Sequence, residues 1–160
     1  MYRPIEQATK INFRVRAKDL ISPDGKSSTD FYFGFVREEL NDLYPDTSAL
    51  SIKDFIDGEY IIVRGLEKDT TYGPFYRGEN PYYPHTIIDN DGRIKQDNVI
   101  EVEINVSNTS WNVIIKNLSE KDEPVFVGEN LDLLGKYFTF GFRVPENGFM
   151  DIDVYDLQIQ

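Results

Sequence analysis

The sequence predicts an all-β fold, in which many short strands form a sandwich or a barrel. Apolar and polar residues alternate along most segments, as they do in strands with one solvated face. Turn-forming residues separate these segments, and no segment predicts a long helix. The pattern amounts to about nine or ten strands, which we expect to form one domain spanning residues 1–160.

The first half of the chain predicts five strands. Residues 11–17 alternate apolar and polar side chains without a break, and Ser22–Gly25 forms a turn after them. Residues 37–43 favour one or two helical turns, which Pro45 would end. Asp89–Gly92 is typical of a hairpin turn. The five strands are 11–17, 31–36, 60–64, 86–88 and 93–95.

The second half predicts five more strands. Residues 99–106 place valine and isoleucine on one face and Glu101, Glu103 and Asn105 on the other, which indicates a core face and a solvated face. Residues 111–116 are rich in β-branched side chains, which favour strands. The five strands are 99–106, 111–116, 125–127, 137–144 and 149–159.

Two of these segments, residues 31–35 and 138–142, share the pattern F-x-F-G-F. Alternate phenylalanines of each segment lie on one face of a strand, which we expect to be the core face. Gly34 and Gly141 then lie on the opposite face. Glycine at such a position indicates either a bulge or a covering loop, or else the floor of a shallow ligand groove.

Three segments resemble the concanavalin A-like jelly roll of lectins, laminin G-type modules and many carbohydrate-binding modules. The first is NVIEVEINV followed by WNVIIKN, where such modules often have paired strands across a sheet. The second, KYFTFGFRV, is similar to their penultimate strand. The third, GFMDIDVYDLQI, is similar to the final strand that closes such sandwiches beside the first strand. The resemblance implies two antiparallel sheets, with a ligand bound on the concave face or at the rim loops. Similar modules are attached to polysaccharide-degrading enzymes, and others occur in phage baseplates.

Composition limits the classes of partner. The chain has 17 basic and 28 acidic residues and a net charge of -11, which argues against nucleic acid and anionic membrane surfaces. The absence of cysteine excludes disulfides and thiolate metal sites. No apolar run is long enough to span a bilayer, and no signal-peptide core is present. We expect a module of a larger extracellular, cell-surface or virion protein, without membrane insertion.

The segment TYGPFYRGENPYYPH, residues 71–85, concentrates tyrosine among proline and glycine. Its apolar residues follow neither a strand nor a helix period, so it predicts an irregular loop. Tyrosine rings can stack on the C–H faces of sugars while nearby polar groups bond the hydroxyls, or they can cap the end of a sandwich. The candidate ligand-binding residues are Tyr72, Tyr76, Arg77, Asn80, Tyr82, Tyr83 and Trp111.

Trp111, the only tryptophan, is either a core residue or a stacking platform. If residues 71–85 bind a ligand, we expect Trp111 and the face of Gly34 and Gly141 to lie close to them. His85, the only histidine, has no partner acid or base in the sequence around it and is interpreted as structural.

Metal and catalytic motifs are incomplete. Asp89–Gly92 begins like a calcium loop but lacks the downstream glutamate, so no cofactor is predicted, although the many aspartates would suit a structural calcium elsewhere. Asp151, Asp153 and Asp156 superficially resemble the E-x-D-x-x-E motif of laminarinase-like glycosidases, but aspartate replaces both glutamates. A solvated strand face is the better interpretation.

We therefore expect a non-catalytic carbohydrate-binding domain. The alternatives are a structural or adhesion domain of a phage or cell-surface assembly, whose aromatic loop would contact protein, and a glycosidase or lyase.

Overall fold

The computed structural model describes residues 5, 8–21, 30–36, 59–64, 75–77, 85–86, 97–120, 123–133, 135–143 and 147–160. All secondary-structure elements within these residues are strands. In chain order they are β1 (Thr9–Ile21), β2 (Asp30–Val36), β3 (Glu59–Arg64), β4 (Phe75–Arg77), β5 (His85–Thr86), β6 (Val99–Val106), β7 (Ser110–Asn117), β8 (Pro124–Asp132), β9 (Tyr137–Arg143) and β10 (Phe149–Ile159). The described part of the chain contains no helix long and apolar enough to cross a membrane.

Six of these strands form the larger sheet, in the order β10-β1-β6-β7-β8-β5. All of its pairings are antiparallel. β10 pairs with β1, which confirms the prediction that the final strand lies beside the first. β6 pairs with β7 from Ile100 opposite Asn117 to Val106 opposite Trp111, which confirms the paired central strands.

The smaller sheet has the order β4-β3-β2-β9 and is also antiparallel. The two F-x-F-G-F segments are neighbours in it, so that Phe33 lies opposite Phe140 and Phe35 opposite Phe138. Facing phenylalanines on one side of an antiparallel pair stabilise the sheet through cross-strand contacts.

Aromatic residues join the two sheets. The ring of Phe13 on β1 lies 5.4 Å from that of Phe33, and the ring of Trp111 on β7 lies 5.0 Å from that of Phe35. Phe31, Phe33 and Phe35 are fully buried, as expected. The buried apolar residues form one cluster: Ile11, Phe13, Val15, Phe31, Phe33, Phe35, Ile100, Val102, Ile104, Val106, Trp111, Val113, Ile115, Val125, Phe126 and Leu131. The described strands therefore form an antiparallel two-sheet sandwich.

Three predictions of local structure were wrong or incomplete. The segment 71–85 is not wholly irregular, because Phe75–Arg77 forms β4 and pairs with β3. β8 extends to Asp132 instead of ending at residue 127, because a bulge lets its pairing with β7 continue. At this bulge the backbone N–H of Asn130 donates to Asn112 Oδ1 at 2.7 Å, and Asn130 has a φ of 52°. Phe140 is 40% exposed, since β9 is an end strand of the described sheet.

Other predictions lie outside the described residues. They concern the turn at residues 22–25, the helical turns at 37–45 and the hairpin at 87–95.

Candidate functional site

The described residues of the aromatic segment belong to β4 and to the start of β5. Among the described strands, β4 lies at one end of the smaller sheet, and β5 lies at one end of the larger sheet. Only eight residue steps connect Arg77 with His85, and such a chain spans at most about 28 Å. The Cα atoms of Arg77 and His85 therefore lie within that distance of each other. Of the predicted ligand-binding residues, Tyr72, Asn80, Tyr82 and Tyr83 lie outside the described residues.

The strand register connects β4 with the two glycines. Arg77 pairs with Tyr60, which pairs with Gly34, so that these three backbone positions form one row across the sheet. Gly34 is two strands from Arg77, or about 10 Å at the usual strand spacing. Gly141 lies in the next such row, which passes through Tyr32 and Ile62 to Phe75. The rows of Gly34 and Gly141 thus both reach β4.

The same register separates Tyr76 from Arg77. Tyr76 pairs with Ile61, which pairs with Phe33, a buried core residue. Tyr76 therefore stands in a row of the core face, whereas Arg77 stands in the row of Gly34. The row of Arg77 therefore belongs to the face of the smaller sheet that points away from the core.

Gly34 is not at a bulge. Its pairing with β3 and β9 is continuous over the described residues. Gly34 is buried, and its partner Thr139 on β9 is only 4% exposed although both stand in the row opposite the core. The sheet is therefore covered at this point, which favours the covering interpretation for Gly34 over an open groove floor. Gly141 is partly exposed.

Trp111 is a core residue. Its side chain is 0% exposed, meets the ring of Phe35 edge to face and donates its indole N–H to the backbone oxygen of Asp132 at 3.2 Å. The ring has no face open to a ligand in this structure, so its position corrects the inclusion of Trp111 among the ligand-binding residues. A buried indole also needs a partner for its N–H, and the Asp132 carbonyl supplies it.

The outer face of the larger sheet carries ion pairs along β1. Arg14 Nε and Nη2 donate to Glu101 Oε2 at 3.1 and 3.0 Å, and Nη1 donates to Asp156 Oδ2 at 3.4 Å. Lys10 lies 3.1 Å from Glu103, and Lys18 lies 2.7 Å from Asp153. This arrangement agrees with the predicted solvated face of Glu101, Glu103 and the aspartates of β10.

These pairs shift the affinity of three groups for protons. The hydrogen bond with Glu101 raises the pKa of Arg14, and the bond with Asp153 raises the pKa of Lys18. The hydrogen bond from Lys10 lowers the pKa of Glu103, and a further bond from Asn105 acts in the same direction. Each shift favours the charged form, because the partner stabilises it.

A polar depression lies on this face toward the end of the larger sheet formed by β10. It has a volume of about 420 Å³ and is lined by Asn12, Phe13, Arg14, Glu101, Glu103, Asp156 and Gln158, from β1, β6 and β10. Asn12 Oδ1 is buried and has no hydrogen-bond partner. The β1–β10 register shifts between Asn12 and Arg14, and Asp156 has a φ of 54°, which together mark a bulge in β10.

Sequence reasoning missed this depression, although one signal for it was present. The apolar residues Ile152, Val154, Leu157 and Ile159 of β10 are two positions apart, except that the spacing is three between Val154 and Leu157. Such a break in alternation indicates an inserted residue. Among the described residues, no three histidine, cysteine, aspartate or glutamate side chains are arranged so that they could hold a metal ion.

Comparison with known proteins gives a weak likeness. No protein-family model and no curated protein sequence matches the chain. Among solved structures, it is similar to sheep galectin-11 in complex with glycerol, with 12% sequence identity and a TM-score of 0.42, covering 100% of this chain and 95% of the galectin chain. Nothing about the ligand of this chain follows from a likeness at that level.

Proposed function

We propose that this chain is a non-catalytic carbohydrate-binding domain that uses its aromatic segment to bind a polysaccharide or a cell-surface glycan. The observation that supports the proposal is the register of the smaller sheet, which puts Arg77 of the aromatic segment in one row with Gly34. A proline-rich connection held at both ends can present tyrosine rings with little entropy left to lose.

The proposed contacts follow from the chemistry of sugars. Tyr72, Tyr82 and Tyr83 would stack on apolar C–H faces, while Arg77 and Asn80 would bond hydroxyl groups. Tyr76 is left out of these contacts because it stands in a row of the core face. Trp111 has no part in this site because it is buried. We expect weak affinity at a single site, about 1 µM to 1 mM, strengthened by multivalency in a parent enzyme or virion at the cell surface.

A glycan array with matched variants tests the proposal. Wild-type protein should bind a defined set of glycans, and Tyr82→Ala should lose that binding while its circular dichroism spectrum and thermal midpoint stay unchanged. Tyr82→Phe is the control, because it keeps the ring and should keep most of the binding if stacking dominates. Arg77→Ala should weaken binding. Silence of the wild-type protein across a broad array would refute the proposal, and release of reducing ends from polysaccharides would indicate an enzyme instead.

A second candidate function is that of a structural or adhesion domain. In the described part of the chain, the exposed large apolar side chains are Phe140, Phe149, Leu157 and Ile159, at 40%, 50%, 48% and 59% exposure. All four belong to β9 and β10, the strands at the ends of the two sheets opposite β4 and β5. Exposed apolar groups on end strands favour contact with protein. Cross-linking within the parent assembly that maps to β9 and β10, together with no glycan binding, would favour this role.

A further inference from the structure

We infer that the free edge of β10 is a docking site for an extended, basic segment of a partner protein, which adds to the larger sheet as a further strand. Over the described residues, β10 is the end strand of this sheet, and it is 11 residues long. The backbone groups on the outer side of an end strand can pair with a strand from another chain. This surface is separate from the aromatic segment, and the inference stands whether or not that segment binds a glycan.

The hydrogen bonds between β1 and β10 show which backbone groups of β10 point outward. The N–H and C=O of Gln160 both bond to Lys10, each at 2.9 Å, so the backbone of Gln160 is directed toward β1. Bonded and non-bonded pairs alternate along an antiparallel ladder, and the next pair is Ile11 with Ile159. The N–H and C=O of Ile159 therefore point away from β1, toward the free edge.

Val154, on the other side of the bulge in β10, has the same orientation. β1 keeps a continuous register with β6, so its backbone groups alternate between β10 and β6 without interruption. Val15 is directed as Ile11 is, and its partner in β10 is Val154. The backbone groups of Val154 therefore also point to the free edge. From Phe149 to Tyr155, β10 takes part in the register with every residue, which gives an unbroken edge of about 20 Å.

The apolar side chains at this edge are incompletely covered. Ile159 lies opposite Ile11, and directly opposed residues of a strand pair share one face, here the core face. Ile159 is nevertheless 59% exposed, whereas Ile11 is 0% exposed. Leu157 is 48% exposed. Apolar side chains of an added strand would cover these two residues, so the docked segment needs apolar residues on that face.

The aspartates of β10 set the charge of the partner. Residues 149–160 contain Asp151, Asp153 and Asp156 and no lysine or arginine. The side chains of Asp153 and Asp156 are 43% and 59% exposed although Lys18 and Arg14 pair with them, and Asp151 is exposed as well. These carboxylates can accept further hydrogen bonds from lysine or arginine on an added strand. Together with the net charge of -11, they favour a basic segment.

The same charges argue against a second copy of this chain as the occupant. Pairing of β10 with β10 of another molecule would bring together the three aspartates of each strand, and each molecule has a net charge of -11. Like charges on paired strands are destabilising. A segment in which apolar residues alternate with lysine or arginine suits both faces, because its apolar residues meet Ile159 and its basic residues meet the aspartates.

Binding of designed peptides tests the inference. A peptide of about eight residues that alternates valine and lysine would be titrated into the protein by isothermal titration calorimetry. One comparison peptide alternates valine and glutamate, and another has the same valines and lysines in two separate blocks. We expect the alternating valine–lysine peptide to bind, the block-ordered peptide to bind at least about tenfold more weakly, and the glutamate peptide not to bind. Equal affinity of the two lysine peptides would overturn the inference, as would no saturable binding of the alternating one.

Amide hydrogen exchange shows where the peptide binds. The N–H groups of Val154 and Ile159 point to the free edge, so saturating valine–lysine peptide should slow their exchange at least about tenfold. The N–H of Gln160 already bonds to Lys10 and should change less. Unchanged exchange at Val154 and Ile159 at saturation would overturn the inference. Protection of these amides by rising protein concentration alone, with a doubled mass in analytical ultracentrifugation, would make a second copy the occupant and overturn the assignment of a basic segment.

Matched variants separate the edge from the fold. Ile159→Pro removes an outward N–H that does not bond to β1, so it should weaken peptide binding about tenfold at an unchanged thermal midpoint. Asp151→Lys should also weaken binding, whereas Glu129→Lys makes the same charge change on β8, four strands away, and should bind as wild type. Tyr82→Ala should bind the peptide as wild type. Wild-type affinity of Ile159→Pro, or an equal loss in Asp151→Lys and Glu129→Lys, would contradict strand addition at β10.

Discussion

Replacing Trp111 with alanine tests whether this residue belongs to the core. The indole is 0% exposed, meets Phe35 at a centroid distance of 5.0 Å and donates to the Asp132 carbonyl. Truncating a buried tryptophan typically costs about 3–5 kcal/mol, because apolar contacts are lost and a cavity remains. The lost hydrogen bond leaves the carbonyl of Asp132 short of a donor and adds about 1 kcal/mol. We expect Trp111→Ala to lower the free energy of unfolding by about 4 kcal/mol.

Urea unfolding followed by circular dichroism measures this loss, since the signal does not depend on the indole. Trp111→Phe is the matched control: it keeps an aromatic ring next to Phe35 but removes the N–H donor, and it should cost about 1–2 kcal/mol. A double-mutant cycle with Phe35→Leu should give a coupling of about 0.5–1.5 kcal/mol for the edge-to-face pair. If Trp111→Ala loses less than about 1 kcal/mol, the ring is not packed as described and could again serve as a stacking platform.

Three further predictions concern other parts of the sandwich. Gly128→Ala should cost about 1–3 kcal/mol in urea unfolding, because a Cβ there would lie 3.0 Å from Leu131 Cδ1 and 3.0 Å from Val113 Cγ1; an unchanged midpoint would contradict this packing. The hydrogen bond from Lys10 holds the pKa of Glu103 below its ordinary value of 4.5, so the stability that Lys10 adds is present above that value and is lost as pH falls through the lowered pKa. The free energies of unfolding of wild type and Lys10→Met should therefore differ at about pH 6 and converge in acid. A difference that grows in acid would contradict this linkage. Asp156→Gly should have the free energy of unfolding of wild type, within about 0.5 kcal/mol. Asp156→Val should lose about 1–2 kcal/mol, because a β-branched residue is strained at a φ of 54°. Equal stability of the two variants would refute the bulge.

The sequence was a good guide to strands and faces. Alternation of apolar and polar residues in β6 identifies the core face and the solvated face of Glu101 and Glu103 because the side-chain period of a strand is two. The same rule placed Phe31, Phe33 and Phe35 in the core. The pairing of the final strand with the first followed from the resemblance to jelly-roll modules, and the structure agrees.

Bulges and isolated residues were harder to predict. The bulge at Asn130 depends on pairing with a neighbouring strand, which a single segment does not reveal. The extra residue in β10 left only a break in the apolar alternation of that strand as a signal. The polar depression brings together Asn12, Glu101 and Asp156, which are far apart in the sequence and meet only when β1 pairs with β6 and β10. The burial of Trp111 is set by the sheet opposite it, and its own sequence neighbours allow both a core position and a stacking platform.

The measurement that tests the central claim most directly is glycan-array binding by wild type, Tyr82→Ala and Tyr82→Phe, each checked for folding. The account predicts that wild type and Tyr82→Phe bind the same glycans and that Tyr82→Ala, although folded, does not. Equal binding by all three proteins would contradict the role of the aromatic segment, and no binding by the wild-type protein would contradict carbohydrate binding itself.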